Sequence, residues 1–221
     1  IRRRADFTMQ QCSGQIFGTT YTVKYIAAED YGADILAELQ RVDASLSLFN
    51  GQSTLSRINS GKQAEADAML LEVLQLAEKV SQSTNGAFDV TVGPLVNAWG
   101  FGFARRDSLS PARVDSLRAL VGHDKLRLDG TKVIKADARM VIDCGAIAKG
   151  YGVDRVAALL RRKGVADYMV EVGGEVVVRG QKDKNGTPVK ITFKNTERFN
   201  FAFDVMDAIA EEVPNKLAML H

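Results

Sequence analysis

The stretch Val141-Ile-Asp-Cys-Gly-Ala-Ile-Ala-Lys-Gly-Tyr-Gly-Val-Asp154 carries the residues best suited to chemistry. A short apolar strand (Val141, Ile142) is expected to deliver Asp143 into a turn at Gly145. A helix then follows through Val156, Leu159 and Leu160 to Gly164. That order puts a carboxylate, the lysine Lys149 and the free amides of a helix start at one point. Amides at a helix N-terminus together with a lysine suit a phosphate or polyphosphate, and Asp143 could accept hydrogen bonds from a base or a hydroxyl. Taken by itself the stretch is also readable as a plain strand, turn and helix whose Lys149 is solvated.

Two further segments change the balance: Gly86-Ala-Phe-Asp-Val-Thr-Val-Gly-Pro-Leu95, followed by Trp99-Gly-Phe-Gly102, and Gly18-Thr-Thr-Tyr-Thr-Val-Lys-Tyr25. With Leu46-Ser-Leu-Phe-Asn50, Leu55-Ser-Arg-Ile-Asn59 and Val170-Glu-Val-Gly-Gly-Glu-Val-Val-Val-Arg-Gly180 they stand in the order of one family's motifs. The chain resembles the ApbE-type FAD:protein FMN transferases. The resemblance implies an α+β fold of mixed sheets with helices, T-fold-like, in one compact unit over residues 1–221. FAD would lie in a cleft with Mg2+ near its pyrophosphate, and the FMN half would pass to a Thr or Ser hydroxyl of an acceptor flavoprotein, releasing AMP. Two alternatives stay open: an inactive FAD-binding relative, and a pyrophosphatase that splits FAD to FMN and AMP.

Carried over position by position, Phe17 stands where the family usually has methionine and offers an apolar face to a ring. Phe49 falls where an aromatic residue commonly meets the flavin, although it could simply end the apolar face begun at Leu46. Ala87, Phe88 and Asp89 match a segment lining the FAD site, expected as a strand with Phe88 and Asp89 on opposite faces. Asp143 and Lys149 match flavin-contacting positions, and the main-chain carbonyl of Ala146 a magnesium ligand. A carbonyl is chemically apt, since magnesium takes hard oxygen donors and few protein ligands beside substrate phosphates. The resemblance further implies an exported protein, in the periplasm or on the periplasmic face of the bacterial inner membrane, with a possible lipid anchor upstream of Ile1. It breaks after Gly180. Against the family's pattern a segment is missing between about residues 193 and 201, and Glu197 and Phe201 would then fall at the family's magnesium-binding Asp and Thr. Asp207 and Glu211 form another carboxylate pair, at helical spacing, to which no metal role is carried over.

The elements that must position these residues are mostly legible. Tyr21 to Ile26 alternates like a strand, and Ile35, Leu36, Leu39, Val42 and Leu46 fall at helical spacing. Leu70, Leu71, Leu74, Ala77 and Val80 predict a second helix, stopped near Asn85-Gly86. Ser110-Pro111 starts another, running to Gly122. Short strands are expected at Lys125 to Leu128, Lys132 to Lys135 and Met140 to Asp143, then a hairpin of Tyr168 to Val172 and Glu175 to Arg179 across Gly173-Gly174, with Val189 to Phe193 extending the sheet. The order is that of an α+β protein.

Bulk properties narrow the function from outside. The composition, 46% apolar and 25% charged with a net charge of +2, is that of a globular protein and too mildly basic to imply nucleic acid. No run approaches the length that spans a bilayer. Cys12 and Cys144 have neither metal-ligand spacing nor a disulfide framework, and Cys144 is expected to be a small buried filler. His123, in Gly-His-Asp, is expected in a surface turn, and no catalytic base is assigned.

Overall fold

The computed structural model describes residues 7–101 and 109–180. The chain divides after Gly180, and every described element lies in the first unit. The expected strand Val189 to Phe193, the break near residues 193 to 201, and Glu197, Phe201, Asp207 and Glu211 fall outside the described residues.

Four antiparallel strands form the main sheet in the order β1 (Thr8–Ile16), β2 (Thr19–Ala27), β5 (Tyr168–Val172), β6 (Glu175–Arg179). β2 follows the alternation in its sequence, with Tyr21, Val23, Tyr25 and Ala27 buried. They meet Val170 and Val172 of β5 beneath two helices, α1 (Gly32–Leu46) and α6 (Gly145–Arg162). Ile35 and Leu39 of α1 and Val156 and Leu160 of α6 are fully buried there, each side chain contributing about 1.5 to 3 kcal/mol. An ion pair also joins the helices: Glu38, 5% exposed, holds Arg155 at 2.8 Å. β1 carries Gln10, Gln11, Ser13, Gly14 and Gln15 and so gives no apolar period to read; it is an edge strand, where polar residues discourage pairing with other chains.

A second core lies beside the first. It joins the C-terminal half of α1 to α2 (Thr54–Asn59), α3 (Ala68–Ser83) and the hairpin of β3 (Leu126–Asp129) and β4 (Lys132–Lys135). Asp67 starts α3 by accepting the amides of Met69 and Leu70, and the same carboxylate takes the hydroxyls of Ser45 and Thr54. α3 stops at Asn85 and Gly86, both in the left-handed region. After α4 (Gly93–Ala98), α5 (Pro111–Arg118) begins at the Ser110 cap and ends four residues before Gly122, where Lys125 Nζ takes over the carbonyls of Ala119 and Val121. Phe17 packs against both cores.

Two expected strands are not strands. Met140 to Asp143 joins no ladder, and at Ile142 a side chain replaces the partner strand: Asn59 donates Nδ2 to Ile142 O (2.8 Å) and accepts Ile142 N–H on Oδ1 (2.9 Å). The Asp143 amide goes to Val90 O at 2.7 Å. One asparagine thus satisfies the groups a strand partner would have taken. Phe88 and Asp89 form no ladder either. Asp89 caps a 3-10 turn over Val90–Val92, its Oδ1 accepting both the amide and the hydroxyl of Thr91 at 2.7 Å.

Candidate functional site

Where the two cores meet, a cleft of about 450 Å3 opens between the β1–β2 turn, the C-terminal half of α1 with the loop behind it, residues 88–92, α4 and the start of α6. Seven of the eight residues expected at a site line it: Phe17, Phe49, Phe88, Asp89, Asp143, Ala146 and Lys149. Ala87 does not; it is exposed, in the turn that leads out of α3. Asp43, Val96 and Phe101 also line the cleft and were not singled out from sequence. Phe101 lies inside the Trp99-Gly-Phe-Gly102 block, but no local sequence feature marks its ring for a site. Asp43 sits one residue past the buried Val42, where a polar residue on a helix ordinarily faces water.

The walls are aromatic and partly wet. Phe49 and Phe101 leave 74% and 82% of their surface in solvent. Exposed rings gathered at the mouth of a concave site mark a binding surface rather than a core. Phe49 is held in place through its backbone: Ser47 Oγ accepts the amides of Phe49 and Asn50, and Ser53 and Ser56 of the next turn bond Ser47 O.

Charge is distributed unevenly. Asp43, Asp89 and Asp143 all line the cleft, and each already accepts a hydrogen bond: from Asn50 Nδ2 (3.0 Å), from Thr91, and from Gly145 N–H (2.7 Å) respectively. Lys149, half-buried on the first turns of α6, has no hydrogen bond or ion pair among the described residues. Its stem passes so close to Gly173, in the β5–β6 turn at φ 54°, that a Cβ there would stand 2.9 Å from Lys149 Cδ. The helix start offers fewer free amides than expected, because Gly145's is taken by Asp143 and those of Ile147 and Ala148 by Cys144 O. Cys144 itself is fully buried; burial, and then the adjacent Asp143, push its thiol up to about 12. It is a filler under the site, as its size suggested. His123 lies outside the cleft, in a 3-10 turn beside Gly86.

The oxygen donors suit a hard cation. Three carboxylates and Ala146, whose main-chain carbonyl is a further oxygen, stand among the lining residues, with no thiolate or imidazole. No three Asp, Glu, His or Cys side chains among the described residues come together as a ready cage. A divalent ion here would depend on main-chain oxygen and on phosphates brought by a ligand. The cleft thus combines exposed rings, a lysine with no partner among the described residues and several oxygen donors.

The sequence model of the ApbE family matches residues 17–216. The chain belongs to the ApbE family. It is 39% identical over 199 residues to the FAD:protein FMN transferase of Haemophilus influenzae, covering 82% of this chain and 57% of that one. Its fold is similar to the flavin transferase ApbE from Vibrio cholerae (34% identity, TM-score 0.78, 84% of this chain and 63% of that chain). It is also similar to the apo form of Pseudomonas stutzeri flavinyl transferase ApbE (33% identity, TM-score 0.76, 84% and 65%). The α+β architecture expected from the ApbE resemblance is therefore the one found. The chain spans a little under three fifths of the length of the curated relatives it matches.

Proposed function

We propose that the chain binds FAD in the cleft and carries FMN to a Thr or Ser hydroxyl of an acceptor protein, releasing AMP, with Mg2+ as the metal. The observation that carries this is the meeting of Phe17, Phe49 and Phe88 with the unpaired Lys149 in one cleft, in a chain whose relatives are named FAD:protein FMN transferases. The rings offer faces on which an isoalloxazine can stack. Lys149 and the start of α6 offer a positive end to the pyrophosphate.

In the transfer, the acceptor oxygen forms a bond to the phosphorus of the FMN half while the bond from that phosphorus to the AMP oxygen breaks. The hydroxyl proton leaves to a base. Catalysis of this kind is positioning and charge stabilisation. Lys149 lowers the charge on the pyrophosphate, Asp143 fixes the helix start by holding Gly145 N–H, and the phenyl rings exclude water from one side of the ligand. Magnesium, when bound, would neutralise charge on the pyrophosphate oxygens; Ala146 O and the carboxylates of Asp89 and Asp143 are the cleft oxygens that could help hold it. We also propose, on the family resemblance, work in the periplasm or at the periplasmic face of the inner membrane, to be checked by fractionating the source cells.

The deciding experiment incubates the purified chain with FAD, Mg2+ and an acceptor protein. It follows AMP and covalently bound flavin, with EDTA as the control. Metal-dependent AMP release in step with flavin attached to a Thr or Ser supports transfer, and AMP with free FMN supports the pyrophosphatase. A third outcome, FAD binding without AMP release, would reject transfer by this chain and support the inactive FAD-binding relative.

A further inference from the structure

The short helix α2 bonds at its two ends to two segments that lead into the cleft, the Ser47–Phe49 loop and the residue before Asp143. At its start, Ser53 caps the helix and sends its hydroxyl to Ser47 O, where Ser56 also bonds at 2.9 Å. Ser47 in turn holds the amides of Phe49 and Asn50. At its end, Asn59 grips both backbone groups of Ile142, one residue before Asp143. Lys135 reinforces that end from β4: its ammonium donates to Asn59 O (3.1 Å), Ala138 O (3.1 Å) and Met140 O (3.0 Å). Beyond the grip, Asp143 N–H bonds Val90 O, next to Asp89.

We infer that Asn59 and Lys135 are positioning residues of the cleft, and that α2 is a strut setting the Phe49 loop against the Asp143 helix start. This rests on the flavin reading of that cleft. Neither residue lines the cleft, so neither touches the ligand; each acts through Asp143 and the first turn of α6. The physical reason is that residues 140 to 143 have no strand partner. Without Asn59 the Ile142 amide and carbonyl lose both their bonds, and the residue before Asp143 is fixed only through its neighbours, Met140 O by Lys135 and the Asp143 amide by Val90 O. A group held by the wrong neighbours by even an ångström loses much of its effect on a bound ligand.

The test compares Asn59→Ala, Lys135→Met, Asp143→Ala and the double variant Asn59→Ala/Asp143→Ala, with Val170→Ala, a core truncation in β5, as the stability control. FAD affinity is read by calorimetry, thermal midpoint by circular dichroism, and amide exchange of Ile142, Asp143 and Gly145 by NMR. Asn59→Ala is expected to weaken FAD about tenfold, the scale seen when a group that orients a ligand-holding side chain is removed. In the Asp143→Ala background it should cost little more, because residues acting as a unit are not additive. Val170→Ala should lower the midpoint and leave affinity alone.

A midpoint lowered in Asn59→Ala with unchanged affinity, or effects of Asn59→Ala and Asp143→Ala that simply multiply, would overturn the inference. Should Asn59→Ala fail to fold, Lys135→Met takes its place with the same expectations. If Asp143→Ala itself binds FAD like the wild type, the flavin reading of Asp143 is what falls. Faster exchange at Ile142 and Asp143 in Asn59→Ala then still supports the strut, and unchanged exchange rejects it.

Discussion

Replacing Lys149 with methionine removes the cleft's unpaired cation while keeping an unbranched apolar stem beside Gly173. Two unit charges about 4 Å apart interact by about 1 kcal/mol in water and about 4 kcal/mol at the effective dielectric of a partly buried site. Lys149 is half-buried in an open cleft, so a value between these limits, about 1.5 to 2.5 kcal/mol, is expected. That is a roughly 10- to 70-fold weaker Kd for FAD. Riboflavin has no phosphate and should lose almost nothing. Calorimetric titration of both variants with FAD, FMN and riboflavin separates these cases, and the wild type should prefer FAD to FMN. Raising the salt should weaken FAD binding in the wild type more than in Lys149→Met, because screening acts only where there is a charge to screen. The fold should be untouched, since substitutions away from packed or paired positions stay within about 0.5 kcal/mol. An equal loss for riboflavin would mean that the stem, not the charge, matters. No loss for FAD would remove the pyrophosphate from this end of the cleft.

Asp143→Ala should lose flavin affinity and, through the freed Gly145 amide, about 1 kcal/mol of stability; dichroism and flavin fluorescence recorded together check it, and an unfolded variant would make Asp143 structural. Gly173→Ala places a Cβ 2.6 Å from Thr19 Cγ2 at φ 54°, so it should cost about 1 to 2 kcal/mol for the left-handed backbone alone and also weaken FAD by pushing Lys149; a thermal midpoint equal to the wild type's would refute the geometry. Cys144, with its thiol raised to about 12 by burial and Asp143, should resist alkylation in the native protein while Cys12 reacts, as peptide mass mapping would show. Burial works to raise the Asp67 carboxyl, but the bonds from Thr54, Leu70, Ser45 and Met69 outweigh it and hold it below its usual value. Its stabilising contribution is therefore present above the unfolded value of about 3.9 and is lost as pH falls through the lower folded one. Thermal melts below about pH 4 should show that loss in the wild type and not in Asp67→Asn.

Much of the fold could be read because it follows a period. The alternation of Tyr21 to Ile26 and the spacing of Leu70 to Val80 give β2 and α3 directly, and Gly173-Gly174 gives the β5–β6 hairpin. What could not be read is held by side chains rather than by pattern. Val141 and Ile142 look like a strand because they are apolar, but the backbone bonds of Ile142 go to an asparagine more than eighty positions earlier in the chain, which no local window can see. The same holds for Asp89, whose pairing with Thr91 makes a cap out of an expected strand. At the site, Asp143 and Lys149 were legible because a helix start and a lysine on its first turns are local features. Asp43 was not, since only the packing of α1 against the Phe49 loop turns its side chain from solvent to cleft.

Phe17 shows how the two levels meet. The β1–β2 turn has two residues, both in the left-handed region: Phe17 at φ 54° and Gly18 at φ 72°. Asparagine or glycine would fill the first position with less strain, and a phenylalanine there costs on the order of 1 kcal/mol. The cost is offset by contact. Its ring reaches both cores and lies where a side chain on Gly152 would stand only 2.9 Å from it. Packing against both cores accounts for the ring's retention, and the part of it that packing leaves free lines the cleft, where strained backbone commonly accompanies use of a side chain. Phe17 is thus the one lining residue whose local conformation, and not only its position, argues for a ligand. A ring held out of a hairpin turn by strained backbone, over a glycine of α6, is a surface against which a planar ligand can stack without having to order it first.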